Sequence, residues 1–262
     1  MKLHSERKQD SRIYISRIIS RFLAAEKRYS PILLWSVVVG ILTGLVAALF
    51  QISIEKVQEL REILLRSLPQ VPPLLLAASV IFSAVLVYLA FLLVRRVAPE
   101  TGGSGVHEIE GTLDEVRPIR WKNVLPVKFI GGLLALGSGM VLGREGPTIH
   151  MGGNIGKMVA DLFKAGKEEA HALIAAGAGG GLTAAFNAPL AGILFVFEEM
   201  RPKFRYNFLS VQAVIIASAA SDIALRSVMG QRPEIEMTIL ATPPLTSLWL
   251  FTIASHKNLF ES

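Results

Sequence analysis

Gly143-Arg144-Glu145-Gly146-Pro147 separates two glycine-rich, mostly apolar stretches, residues 124–142 before it and 148–163 after it. A charged pair inside such a chain is costly, roughly 2.5–3.5 kcal/mol per charge even on the lenient insertion scale. Gly143 and Gly146 let the backbone bend, and Pro147 suits the first turn of a new helix. The stretch therefore predicts a break between two helices. The first amides after such a break have no intrahelical partner and carry the positive end of the helix dipole. They attract an anion, and Glu145 is itself an anion fixed in place there. A carboxylate in an anion site can plug it, and protonation releases the plug.

The surrounding composition points to a membrane. Of 262 residues, 52% are hydrophobic and 18% charged, and several apolar runs approach the twenty residues that cross a bilayer. There is no cysteine, so disulfides and thiolate metal sites are excluded. The formal net charge is +6. In a membrane protein this excess reads as cytosolic anchoring, and no motif supports a nucleic-acid partner. Residues 1–30 are basic and amphipathic and lack the continuous apolar core of a cleavable signal. Ile15, Ile18, Ile19, Phe22 and Leu23 recur at helical spacing and predict a helix lying on the cytosolic face of the bilayer.

Outward from the break, residues 32–54 read as a first span, with Gly40 and Gly44 spaced for close helix packing. Residues 55–70 mix charges with leucines and read as an interfacial or extracellular connection. Residues 72–94 form a second span, and Arg95 and Arg96 put its end on the cytosol. Residues 124–142, with Lys128 inside, are a third apolar run. Residues 170–186 are rich in small residues and predict a helix packed among others, interrupted at Asn187-Ala188-Pro189. Residues 208–228 form the last span, although Asp222 interrupts it.

Two further places carry polar chemistry. In residues 99–111 the glycines let the backbone approach a ligand closely, and Ser104 falls at or before the start of a short helix. Its hydroxyl either caps that helix or joins nearby amides in holding an anion; the motif alone favours the cap. A nucleotide phosphate loop is disfavoured, because no strand precedes it and no Walker lysine follows. Glu198-Glu199 ends an apolar segment, which reads as an interfacial terminus or, less commonly, a proton-handling pair.

Three stretches taken together resemble the CLC family of chloride channels and chloride/proton antiporters. They are Gly103-Ser104-Gly105-Val106-His107-Glu108-Ile109-Glu110-Gly111, the central Gly143-Arg144-Glu145-Gly146-Pro147, and the run Ala185 to Gly192 followed by Glu198-Glu199-Met200. The resemblance implies an all-α polytopic membrane protein with broken and re-entrant helices, and it covers the first half of that family's inverted-repeat architecture. It implies a cytosolic segment at 1–30, a membrane domain at 31–253 and an atypical polar tail at 254–262. Ser104 and Gly105 would help hold chloride, with Gly146 at the outer anion site. Glu145 would be the gating glutamate, and Glu199 the inner glutamate that passes protons to the cytosol. Gly103, Gly143, Arg144 and Pro147 would shape the motifs, and Arg144 and Lys128 would add positive potential.

The chain departs from the family at His107, where most members carry proline. That histidine alters the helix start, adds pH-dependent charge, or is a plain surface substitution. The second half of the repeat, with its own anion loop and tyrosine, has no counterpart here. The expected function is chloride transport by proton antiport in a bacterial inner membrane, N-terminus cytoplasmic, in a family whose full-length members are homodimers. The alternative is a truncated, non-transporting fragment, inert or associated with full-length subunits. No nucleophile–base pair or metal-ligand set appears, so neither an enzyme, a metal nor a cofactor is expected; chloride and protons are the cargo.

Overall fold

A computed structural model describes the backbone of residues 2–67, 71–200 and 206–230, and the side chains in these ranges from residue 31 on, except at position 72. All regular structure among the described residues is helical. The order is α1 (Lys2–Arg66), α2 (Pro72–Val97), a 3-10 turn (Pro99–Thr101), α3 (Val106–Leu113), α4 (Trp121–Gly137), α5 (Glu145–Leu162), α6 (Lys167–Phe186), α7 (Pro189–Glu198) and α8 (Phe208–Met229). The expected amphipathic face of residues 1–30, the tail at 254–262 and the boundary at 253 fall outside the described side chains and residues.

Among the described residues, three helices are long and apolar enough to cross a membrane: Pro31–Arg66, Pro73–Val97 and Phe208–Met229. The first is longer than the sequence suggests. Residues 55–66 continue the helix instead of forming a connection. Salt bridges at helical spacing support them, Lys56 to Glu59 at 2.7 Å and Arg66 to Glu62 at 3.4 Å. At 1.5 Å per residue, the 36 residues make about 54 Å, against ~30 Å of hydrocarbon. The charged last turns therefore extend past the apolar layer. The apolar run at 124–142 is shorter as a helix than as a sequence. α4 stops at Gly137, and residues 138–144 are left for the break.

The core is the crossing of α5 and α6, and glycines permit it. A Cβ on Gly152 would overlap the Gly177 carbonyl oxygen, and one on Gly177 would overlap that of Gly152. Gly156 meets the Leu173 carbonyl and Gly181 the Thr148 carbonyl in the same way. Every residue of α6 from Ala172 to Ala185 is buried. Gly40 and Gly44 of α1 repeat the device against Ala217 and Ser221 of α8. Small residues thus bring helix backbones together where a hydrophobic driving force between helices is weak.

The helix ends follow local chemistry. Asn187 closes α6 with φ +54, Ala188 is extended, and Pro189 opens α7, as the Asn-Ala-Pro interruption predicts. Asn207 caps α8 through a bond from the Ser210 amide to its Oδ1 at 2.7 Å. Asp222 does not break α8, because Arg226 one turn on pairs with it at 2.9 Å. Trp121 at the start of α4 donates to Asp161 near the end of α5 at 3.0 Å, which fixes these two helices antiparallel. α2 packs least: Leu76, Val80, Ile81 and Tyr88 are all exposed.

A candidate anion site at two helix ends

α4 and α5 are separated by a held loop. Ser83 of α2 donates to the Ser138 carbonyl at 2.6 Å. Arg61 of α1 donates to Ser79 of α2 at 3.0 Å, and its guanidinium lies against Gly139, whose φ is +86. The loop is therefore pinned from both outer helices. α5 opens at Glu145, with Arg144 as the preceding cap. The first intrahelical bond runs from the Thr148 amide to the Arg144 carbonyl at 3.1 Å. Pro147 has no amide to leave unpaired. That leaves the amides of Glu145 and Gly146 as donors without a partner among the described residues. The half-buried Glu145 side chain folds back toward Gly143: its Oε2 occupies the space a Cβ on Gly143 would take. Arg144 lies within electrostatic reach of both Glu145 and Glu55.

The Ser104 turn is held as firmly. Gly103 and Gly105 have φ +70 and +88, and Gly105 is the residue before α3. The buried Lys128 reaches up from α4 and donates to the Thr101 carbonyl at 3.0 Å and the Gly103 carbonyl at 2.7 Å. Its charge is thus spent on positioning this turn as well as on the local potential. Ser104 Oγ accepts from the Val106 amide at 3.3 Å, a long capping contact, and the residue stays exposed.

These two pieces meet. A Cβ on Gly146 would stand 2.9 Å from both the Cα and the carbonyl oxygen of Ser104. The structure therefore brings Ser104, Gly105, Gly146, Glu145 and Gly143 into one cluster, where the N-termini of α3 and α5 converge. Unpaired amides and positive dipole ends make that cluster suited to an anion.

Other predicted residues lie elsewhere. Glu199 is exposed at the C-terminal end of α7, which packs on α6 and α8. His107 is exposed and sits 3.2 Å from Glu110, which matches the plain surface reading. Sequence reasoning missed His150, which is buried under Gly105. Its one signal is its place on α5 four residues after Gly146. No group of residues suited to a metal ion occurs among the described residues.

At the foot of the Ser104 turn, Arg120 grips Glu100 with two bonds of 2.9 and 2.8 Å. Partial burial pushes the Glu100 carboxyl up. The Arg120 bond, a backbone bond and the Arg120 and His150 charges outweigh it, so the net direction is down. A carboxyl lowered by folding stabilises the fold above its unfolded pKa and loses that contribution as pH falls through the folded one. Thermal unfolding of Glu100→Gln should therefore fall below wild type at pH 7, and the gap should close as the pH drops below about 4.

Residues 86–256 match the voltage gated chloride channel family. The chain is 49% identical over 249 residues to an H(+)/Cl(-) exchange transporter ClcA of Salmonella arizonae, covering 95% of this chain and 53% of that protein. It is 52% identical over 238 residues to the ClcA exchanger of Vibrio cholerae, covering 90% and 51%. Among solved structures it superposes on a slow cyanobacterial Cl-/H+ antiporter with TM-score 0.77 and 43% identity, covering 85% of this chain and 52% of that one. A CLC-type fluoride/proton antiporter shares the fold, with TM-score 0.66 at 18% identity. The chain spans about half the length of the curated relatives it matches. With a family match over most of its length and broken helices converging on one polar cluster, this chain belongs to the voltage-gated chloride channel family and is an integral membrane protein.

Proposed function

We propose that this chain carries the anion-binding and gating part of a chloride/proton antiporter. The observation that supports it most is the contact of Ser104 with Gly146, with the Glu145 carboxylate folded over Gly143 just before the same helix. Chloride entering a membrane needs fixed dipoles to replace its water, and helix N-termini near mid-depth supply them without a full ion pair. Ser104 and Gly105 would present the α3 end and Gly146 the α5 end. Glu145 would compete with chloride when ionised and carry a proton when neutral. Glu199, at the exposed end of α7, would exchange protons with the cytosol and favours antiport over a channel. The basic flanks support an N-terminus in the cytoplasm of a bacterial plasma membrane. Residues 1–30 would be the cytosolic segment, 31–253 the membrane domain and 254–262 a polar tail. Homodimers and the absence of enzymatic chemistry or a cofactor belong to the same reading.

A second reading, a non-transporting piece that is inert or joins longer subunits, draws on two observations. The chain spans about half of its relatives, and the apolar surface of α2 is largely bare. Chloride efflux from liposomes carrying the purified chain, with external pH followed in the same vessel, separates the two. Efflux with coupled proton movement supports antiport. No flux from well-inserted protein supports the second reading.

A further inference from the structure

α5 touches the Ser104–Gly105 turn at two points one helical turn apart. Gly146 lies under Ser104, and His150 lies under Gly105. The first contact is glycine against backbone and leaves no side chain to adjust. The second is an imidazole ring: a Cβ on Gly105 would overlap Cβ, Cγ and Nδ1 of His150. With φ +88 and that ring beneath it, position 105 requires glycine.

His150 is 2% exposed, and its Nδ1 has no hydrogen-bond partner among the described residues. Asn154, one turn further along α5, donates to the His150 carbonyl at 2.8 Å and is itself fully buried. Asn154 thus holds the His150 backbone, and the buried ring is packed against Gly105 at the start of α3. A planar ring with two torsions, packed at interior density, behaves as a rigid spacer. If the turn rocks about its Gly146 contact, His150 is what limits the movement.

We propose that His150 is a specificity-determining residue of the anion site. Its ring fixes how far the α3 end stands from the α5 end, and so which size of anion both can reach. This rests on reading those two ends as the chloride site. His150 acts through the turn and touches no anion itself, so it is a positioning residue. A merely structural role would weaken binding of every anion in proportion, whereas a spacer changes their ratio.

The experiment is calorimetric titration of the whole 262-residue chain in detergent with chloride and, separately, nitrate, at constant ionic strength. Wild type should prefer chloride. His150→Ala should narrow that preference roughly tenfold, the low end of what one methylene of pocket is worth. His150→Gln, which keeps length and polarity, should stay close to wild type. His150→Val removes less volume and should narrow the preference by less than the alanine variant, which keeps the test open if the latter aggregates. An unchanged ratio in an alanine or valine variant that still binds chloride overturns the spacer role alone. A folded wild-type chain that binds neither anion overturns the helix-end reading, and the spacer with it.

Discussion

Gly177→Val is expected to remove the folded state. The Gly177 Cα faces the Gly152 carbonyl oxygen across the α5–α6 crossing, so any side chain there must push two backbones apart. Overpacking costs typically about 1–3 kcal/mol when side chains can shift. Here the obstacle is backbone, and two more contacts of the same kind, at Gly156 and Gly181, would open with it. The loss should therefore reach or pass the upper end of that range. Gly180→Ala is the control. On the same helix, its added Cβ would meet Ser221 Cβ at 3.4 Å, an ordinary contact. Helix propensity favours alanine there by about 1 kcal/mol. Detergent-extracted protein on gel filtration reads both: the valine variant should run as aggregate, and the alanine variant as wild type. A monodisperse, thermally normal valine variant would show that the crossing is looser than described.

Glu145→Ala should abolish proton coupling while leaving chloride movement, in the same liposome measurement that tests transport. The carboxylate lies folded toward Gly143 just before α5, where the amides of Glu145 and Gly146 lack partners among the described residues. Removing it leaves the helix ends and Ser104 in place, so the anion determinants remain. What is lost is the one carboxylate in the cluster, the group proposed to carry the proton. Proton movement should fall to the level of empty liposomes. Coupled proton flux surviving in this variant would contradict the role given to Glu145.

The parts of this structure legible in the sequence are those written into the backbone. Gly143 to Pro147 predicts the helix break, Asn187-Ala188-Pro189 predicts the α6–α7 interruption, and Gly40 with Gly44 predicts a close helix contact. In each, glycine frees the backbone or proline restricts it, so the signal lies in the residues themselves. The length of α1 was not legible, because charges mixed with leucines suit an exposed helix and a polar connection equally. Asp222 reads as an interruption until Arg226 is seen to pair with it. Lys128 reads as a source of potential, whereas its ammonium holds two carbonyls of a turn 25 and 27 residues earlier. Arg61 gave no signal of its own, and His150 only its spacing from Gly146. Their roles come from Gly139 and Gly105, distant in sequence, and composition does not encode such pairs. Ser104 stays intermediate: it makes a capping contact and also stands against Gly146.

The central claim is that chloride and the Glu145 carboxylate contend for the same helix ends. Chloride titration of the purified chain at neutral pH, in wild type and Glu145→Gln, tests it most directly. The account predicts saturable binding in both, tighter in Glu145→Gln, which lacks the competing carboxylate charge. Equal affinities in the two proteins, with both folded, would contradict it.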